Sequence, residues 1–123
     1  MDLKITQATG LKGTVFVPGD KSISHRALIF AALAAGETTI TNLLTAADCL
    51  STLQCLRQLG VFIERQDSSV LVRGVGLRGL KEPDNFLDAG NSGTAIRILP
   101  GILVGQSFFS ILTGDDSLRS RPM

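Results

Sequence analysis

The chain contains no tryptophan, no tyrosine, one histidine and two cysteines among its 123 residues. With His25 alone and no grouped cysteines, no metal-ligand spacing appears, so a metal site is not expected. Cys49 and Cys55 fall in one expected helix, six residues apart, and point to different faces, which argues against a disulfide between them. The longest apolar run without a charge, Ala27 to Gly36, is too short to cross a bilayer and follows no basic leader. A cytoplasmic location is therefore the expectation. Twelve basic and eleven acidic residues nearly cancel. No overall field draws the chain to nucleic acid or an anionic membrane, so any anion site must be local.

What is present is ordinary globular composition, 44% hydrophobic and 19% charged, enough for a core. Thr14 to Val17 reads as a short strand ending at Pro18-Gly19. A helix follows from Ser22 to Ala35, with Ser22 as N-cap, Ile23, Ala27, Leu28, Ala31 and Leu33 on an apolar face, and Gly36 as the stop. Thr38 to Leu43 has strand composition. Asp48 reads as the cap of a second helix that carries Leu50, Leu53, Leu56 and Leu59 and stops at Gly60. Val61 to Arg65 and Ser69 to Arg73 read as a hairpin around Gln66-Asp67-Ser68. Phe86 to Asp88 is extended, Ser92 to Val104 helical despite Pro100, and Ser107 to Leu112 again a strand.

This order indicates an α/β fold. It also repeats: Gly19 and Arg26 are seven residues apart, as are Gly90 and Arg97, and each arginine leads into an apolar helix. The second copy runs out at Arg121-Pro122-Met123, before a second helix is expected, so truncation of a longer protein is anticipated.

Three segments have the make-up of anion sites. Gly19 to Arg26 sets Lys21 and Ser22 at a helix start, where free backbone N–H groups, an ammonium and a hydroxyl converge, with Arg26 one turn on. The alternative is a plain cap followed by solvated charges. Asp88 to Arg97 places Asn91 and Ser92 between Gly90 and Gly93, letting the backbone approach a ligand, with Arg97 one turn inside. The alternative is a capped tight turn. Thr113 to Arg121 offers Arg119 and Arg121 to a carboxylate or phosphate, or else is a solvated loop. Gly74-Val75-Gly76-Leu77-Arg78-Gly79 matches a dinucleotide fingerprint, but Pro83 and its neighbours follow where a helix is required, so it reads as a loop.

Taken together and in this order, PGDKSISHRAL (Pro18 to Leu28), DAGNSGTAIR (Asp88 to Arg97) and LTGDDSLRSRPM (Leu112 to Met123) resemble the 5-enolpyruvylshikimate-3-phosphate synthase family. The resemblance implies two domains, each of three βαβαββ units, closing on their substrates. Residues 1–18 would pair with a second domain absent from this chain. Residues 19–123 would be a partial first domain, one unit and the start of another. It implies that Lys21, Ser22 and Arg26 hold shikimate 3-phosphate. Lys21, the one catalytic position of the set, also touches phosphoenolpyruvate, which Asn91, Gly93 and Arg121 contact too. Thr94 and Arg97 would shape the site. It implies no metal or organic cofactor, a monomeric parent, and acid–base carboxylates in the second domain. Glyphosate would compete beside Gly93.

The related enolpyruvyl transferase acting on UDP-N-acetylglucosamine carries Lys-Asn where this chain has Lys21-Ser22. A non-catalytic anion-binding module, or an inert fragment, are the readings from other classes.

Overall fold

The computed structural model describes all 123 residues. Asp20 opens helix α1 (Lys21–Leu33) by accepting the Ile23 N–H on its carboxylate at 2.7 Å. Leu28, Ile29, Ala31 and Ala32 form its buried stripe. The cap is thus Asp20 rather than Ser22, which lies in the first turn. Ile23, expected inside, is 59% exposed, because the true phase of the helix turns it outward.

Strand β1 (Ala35–Ile40) starts earlier than its composition implied, since α1 ends at Leu33 and the chain turns through Gly36 at φ +96°. Helix α2 (Ala47–Gln58) begins after Ala46, with no side-chain cap. Asp48 is therefore a first-turn residue whose carboxylate is free for other work. Strands β2 (Phe62–Gln66) and β3 (Ser69–Val75) form the expected antiparallel hairpin, closed across Asp67-Ser68 with Asp67 at φ +54°. β1 pairs antiparallel with the other side of β3, giving the order β1-β3-β2.

Val70 and Val72 on β3 are fully buried beneath the helices, and burying one such side chain contributes about 1.5–3 kcal/mol. The glycine of the apparent fingerprint earns its place here in packing. A Cβ on Gly74 would lie 2.2 Å from the Ala34 carbonyl oxygen and 2.4 Å from that of Ala31. Only glycine lets the end of α1 rest on β3, and Gly76 N–H then donates to the same Ala34 oxygen at 3.0 Å. No helix follows Gly79 before Leu87.

The second unit is a parallel pair, β4 (Leu87–Asp88) and β5 (Leu112–Thr113), joined through helix α3 (Gly93–Leu103). Pro100 sits within α3. Residues 107–111, expected as strand, are not in one; only Leu112 and Thr113 reach the ladder with β4. The expected loop after β5 contains a further short helix, α4 (Asp116–Arg119), capped by Asp115. A second helix therefore does begin in the second copy. One hydrophobic cluster runs through both units, from Leu28 on α1 through Leu56 on α2 to Leu99 on α3 and Leu118 on α4.

Residues 1–18 are exposed throughout, and Thr14–Val17 forms no strand. The β-branched composition is right, but a strand needs a partner edge and this segment has none within the chain. No helix is long and apolar enough to cross a membrane.

Candidate anion site at two helix N-termini

The N-termini of α1 and α3 are built alike. In α1, Asp20 takes the Ile23 N–H on its side chain and the Ser24 N–H on its carbonyl, leaving those of Lys21 and Ser22 unclaimed. In α3, Ser92 takes the Ala95 N–H on Oγ at 3.0 Å and the Ile96 N–H on its carbonyl, leaving those of Gly93 and Thr94. Unclaimed N–H groups at the positive end of a helix attract anions.

Side chains add charge to both ends. Lys21 Nζ pairs with Asp48 on the first turn of α2. Ser22 and Arg26 are exposed, and neither side chain engages a partner. At α3 the arrangement is tighter. Arg121 donates through Nη2 to Asn91 Oδ1 at 2.6 Å and to Ser117 Oγ at 3.3 Å. Its Nη1 stands 3.6 Å from where a Cβ on Gly93 would be. The guanidinium therefore lies against the bare backbone of Gly93.

Asp115 organises this corner. Its Oδ1 caps α4 through the Leu118 N–H, its Oδ2 accepts from Asn91 Nδ2 at 2.8 Å, and its N–H donates to the Gly90 carbonyl. A carboxylate can only accept and a guanidinium only donate, so Asn91 must turn its amide nitrogen to Asp115 and its oxygen to Arg121. The Asn91 bond, followed by the Leu118 N–H, holds the Asp115 carboxyl below its ordinary range. Arg97 reaches the Pro122 carbonyl at 3.4 Å. Thr94 is half-buried beside Gly93.

Helix α2 joins the two ends. Asp48 holds Lys21, and three residues on, Ser51 Oγ would lie 2.9 Å from a Cβ on Gly90. Residues three apart share a helix face, so one face of α2 meets both loops. No group of three or more His, Cys, Asp or Glu side chains lies close enough to hold a metal.

The sequence of residues 5–123 matches the family profile described as EPSP synthase (3-phosphoshikimate 1-carboxyvinyltransferase). The chain belongs to the EPSP synthase family. A 3-phosphoshikimate 1-carboxyvinyltransferase of Pelotomaculum thermopropionicum is 60% identical over 100% of this chain and 29% of its own length. That of Bacillus subtilis is 52% identical over 98% of this chain and 28% of its own. The solved EPSP synthase from Acinetobacter baumannii superposes with a TM-score of 0.86 at 50% identity, covering 90% of this chain and 26% of that one. The chain thus spans a little over a quarter of the length of the EPSP synthases it matches.

The structure brings Asn91, Gly93 and Arg121 into one corner and sets Lys21, Ser22 and Arg26 together at the head of α1. Three groups of the site are not evident from sequence. Asp48, a cap by residue type, is instead the partner of Lys21. Asp115, within the charged segment after β5, orients Asn91. His25, within the first motif, is buried against Thr52. The carboxylates of Asp48 and Asp115, in or just before the first turn of a helix, are legible as such, but their partners across the chain and the burial of His25 are not.

Burial chiefly, with Lys21 adding to it against the pull of Asp48, lowers the His25 pKa from its ordinary 6.5. Above 6.5 the ring is neutral whether the chain is folded or not. As pH falls below that value, the unfolded chain takes up a proton that the folded chain resists, so stability declines until the lowered folded value is reached. Asp115 acts in a separate, more acidic window, losing its contribution as pH falls below its ordinary 3.8. The urea midpoint of the full-length protein is expected to fall between about pH 7 and pH 5, and to fall less in His25→Asn. Equal slopes in the two proteins would mean that another group sets the acid response.

The two thiols are free and buried. Cys49 Sγ faces the Lys21 carbonyl, and Cys55 Sγ faces that of Asp88. Burial, with the Asp88 charge adding to it, pushes Cys55 up to about 11.

Proposed function

We propose that this chain is part of a transferase that moves the enolpyruvyl group of phosphoenolpyruvate to the 5-hydroxyl of shikimate 3-phosphate and releases phosphate. Family membership supports the reaction. The observation that carries the site is the Arg121 guanidinium lying on the side-chain-free backbone of Gly93, beside two unclaimed N–H groups of α3.

In this reading Lys21, Ser22 and Arg26 hold shikimate 3-phosphate. Its phosphate dianion finds an ammonium, a guanidinium, a hydroxyl and the N–H groups at the head of α1. Lys21 also faces phosphoenolpyruvate and must exchange Asp48 for substrate oxygens as it does so. Asn91, Gly93 and Arg121 hold phosphoenolpyruvate, while Thr94 and Arg97 shape that end of the site. Charge that builds on phosphate as the tetrahedral adduct breaks down is met by donors already oriented by Asp115 and α2, so little reorganisation is needed during the reaction. No metal or organic cofactor is invoked.

Acid–base carboxylates come from a second domain of the longer polypeptide, against which residues 1–18 pair as a strand. Residues 19–123 are the incomplete first domain, one βαβαββ unit and the beginning of the next. The parent acts as a monomer in the cytoplasm, on small-molecule substrates, with no nucleic acid or membrane partner. The full-length protein should release phosphate from phosphoenolpyruvate only when shikimate 3-phosphate is present, and the 123-residue chain alone should release none above its Lys21→Ala control. Phosphate release by the chain alone would place the acid–base groups within it. Binding of both substrates by the full-length protein without turnover would favour an anion-binding module.

A further inference from the structure

Between Lys21 and Arg26, which are exposed, lie two residues that are buried. Ser24 Oγ accepts the Leu44 N–H at 3.0 Å, and His25, with no exposed surface, puts Nδ1 2.7 Å from Thr52 Oγ1 on α2. His25 Nε2 is also buried and has no partner. The Thr52 hydroxyl has no other acceptor, so it donates to Nδ1 and the ring hydrogen sits on Nε2; the opposite direction would leave both the Thr52 hydrogen and the Nε2 lone pair unpaired.

Thr52 follows Asp48 by one helical turn and adjoins Ser51. The stretch of α2 that meets Lys21 on one side and Gly90 on the other is thus the stretch that His25 grips. Beside the exposed Lys21–Asp48 pair and the weak Cys49 thiol contact to the Lys21 carbonyl, the His25–Thr52 bond is the one fully buried side-chain hydrogen bond between α1 and α2, and it holds a single register where the apolar contacts around it can slide. We propose that His25 is a positioning residue. The hydrogen bond from the Thr52 hydroxyl to its Nδ1 fixes the height of α1 on α2, and with it the placement of Lys21, Ser22 and Arg26 relative to Gly93 and Arg121. This rests on the reading of those loops as the substrate site.

Side-chain geometry supplies the test in the full-length protein. Asn at position 25 can keep an acceptor near the place of Nδ1, whereas Gln carries its amide out toward Nε2 and loses Thr52. Thr52→Val removes the donor while keeping the shape. The KM for shikimate 3-phosphate is expected to rise about 2–10-fold in His25→Gln and in Thr52→Val, no further in the double variant, and to stay near wild type in His25→Asn. Melting temperatures are read alongside. A lowered Tm with unchanged KM overturns the proposal, as does a His25→Asn defect equal to that of His25→Gln. Should the Gln and Val variants fail to fold, 15N-histidine NMR of the wild-type protein decides, with His25 assigned by its absence from His25→Asn; a proton on Nδ1 overturns the assignment. Lys21→Ala runs as a separate control, and an unchanged KM there would remove the site reading itself.

Discussion

Methionine in place of Lys21 is expected to lower kcat/KM of the full-length protein by about 10²–10³-fold, the usual cost of losing one preorganised donor to developing charge. The substitution keeps an apolar stem of similar reach and removes only the ammonium. The fold should barely notice, because the Lys21–Asp48 pair is on the surface, with the Lys21 side chain 51% exposed, and such pairs add about 0–1 kcal/mol at most. Melting temperature and kcat/KM should therefore part company. Arginine is not expected to restore activity, since its flat fork presents charge differently from a compact ammonium at a crowded helix start. Steady-state kinetics with both substrates varied would check this, and a kcat/KM within threefold of wild type for Lys21→Met would show that Lys21 is a bystander.

A methyl group on Gly93 should discriminate between two ligands. Within the chain it meets nothing closer than Arg121 Nη1, at an ordinary contact distance of 3.6 Å, so Gly93→Ala should fold normally. The methyl would project into the gap between the guanidinium and the head of α3, where the proposed site holds phosphoenolpyruvate. Glyphosate, the longer molecule, has less freedom to shift away from it. Its inhibition constant is expected to rise by about 10–200-fold, the range that one methyl group commands in a close-fitting pocket, with a smaller rise in KM for phosphoenolpyruvate. The assay compares the two proteins at matched phosphoenolpyruvate saturation. Equal inhibition constants would mean that Gly93 does not line the site.

Elements that depend on local signals were readable from the sequence. The hairpin around Asp67 and the helix beginning at Gly93 follow from alternation, turn residues and the Ser92 cap, all determined within a few residues. The loops of the candidate site were readable for the same reason, since glycine, small polar residues and a following arginine are contiguous in each. Errors arose where a distant partner decides. Thr14–Val17 has strand composition but no edge to pair with, and 107–111 runs beside β4 only at its end. Asp48 and Ser22 are both good caps by residue type, yet Ala46 and Asp20 occupy the capping positions, because packing sets the phase of each helix. The pairings Lys21–Asp48, Asn91–Asp115 and His25–Thr52 span 24 to 27 residues, beyond any periodic signal.

The seating of α1 on Gly74 has a mechanical consequence. The helix is clamped at its C-terminal end, where Ala31 and Ala34 rest on bare strand backbone, and works at the other. Its thirteen residues make an arm of about 20 Å. A tilt of about 3° at the clamp would swing Lys21 through about 1 Å, a displacement that can cost a catalyst about a hundredfold in rate. Angular play at the strand is thus magnified at the ammonium. The tolerance to which Lys21 is held is set in part at the far end of its helix, by the absence of one methyl group, and in part by the His25–Thr52 bond one turn away.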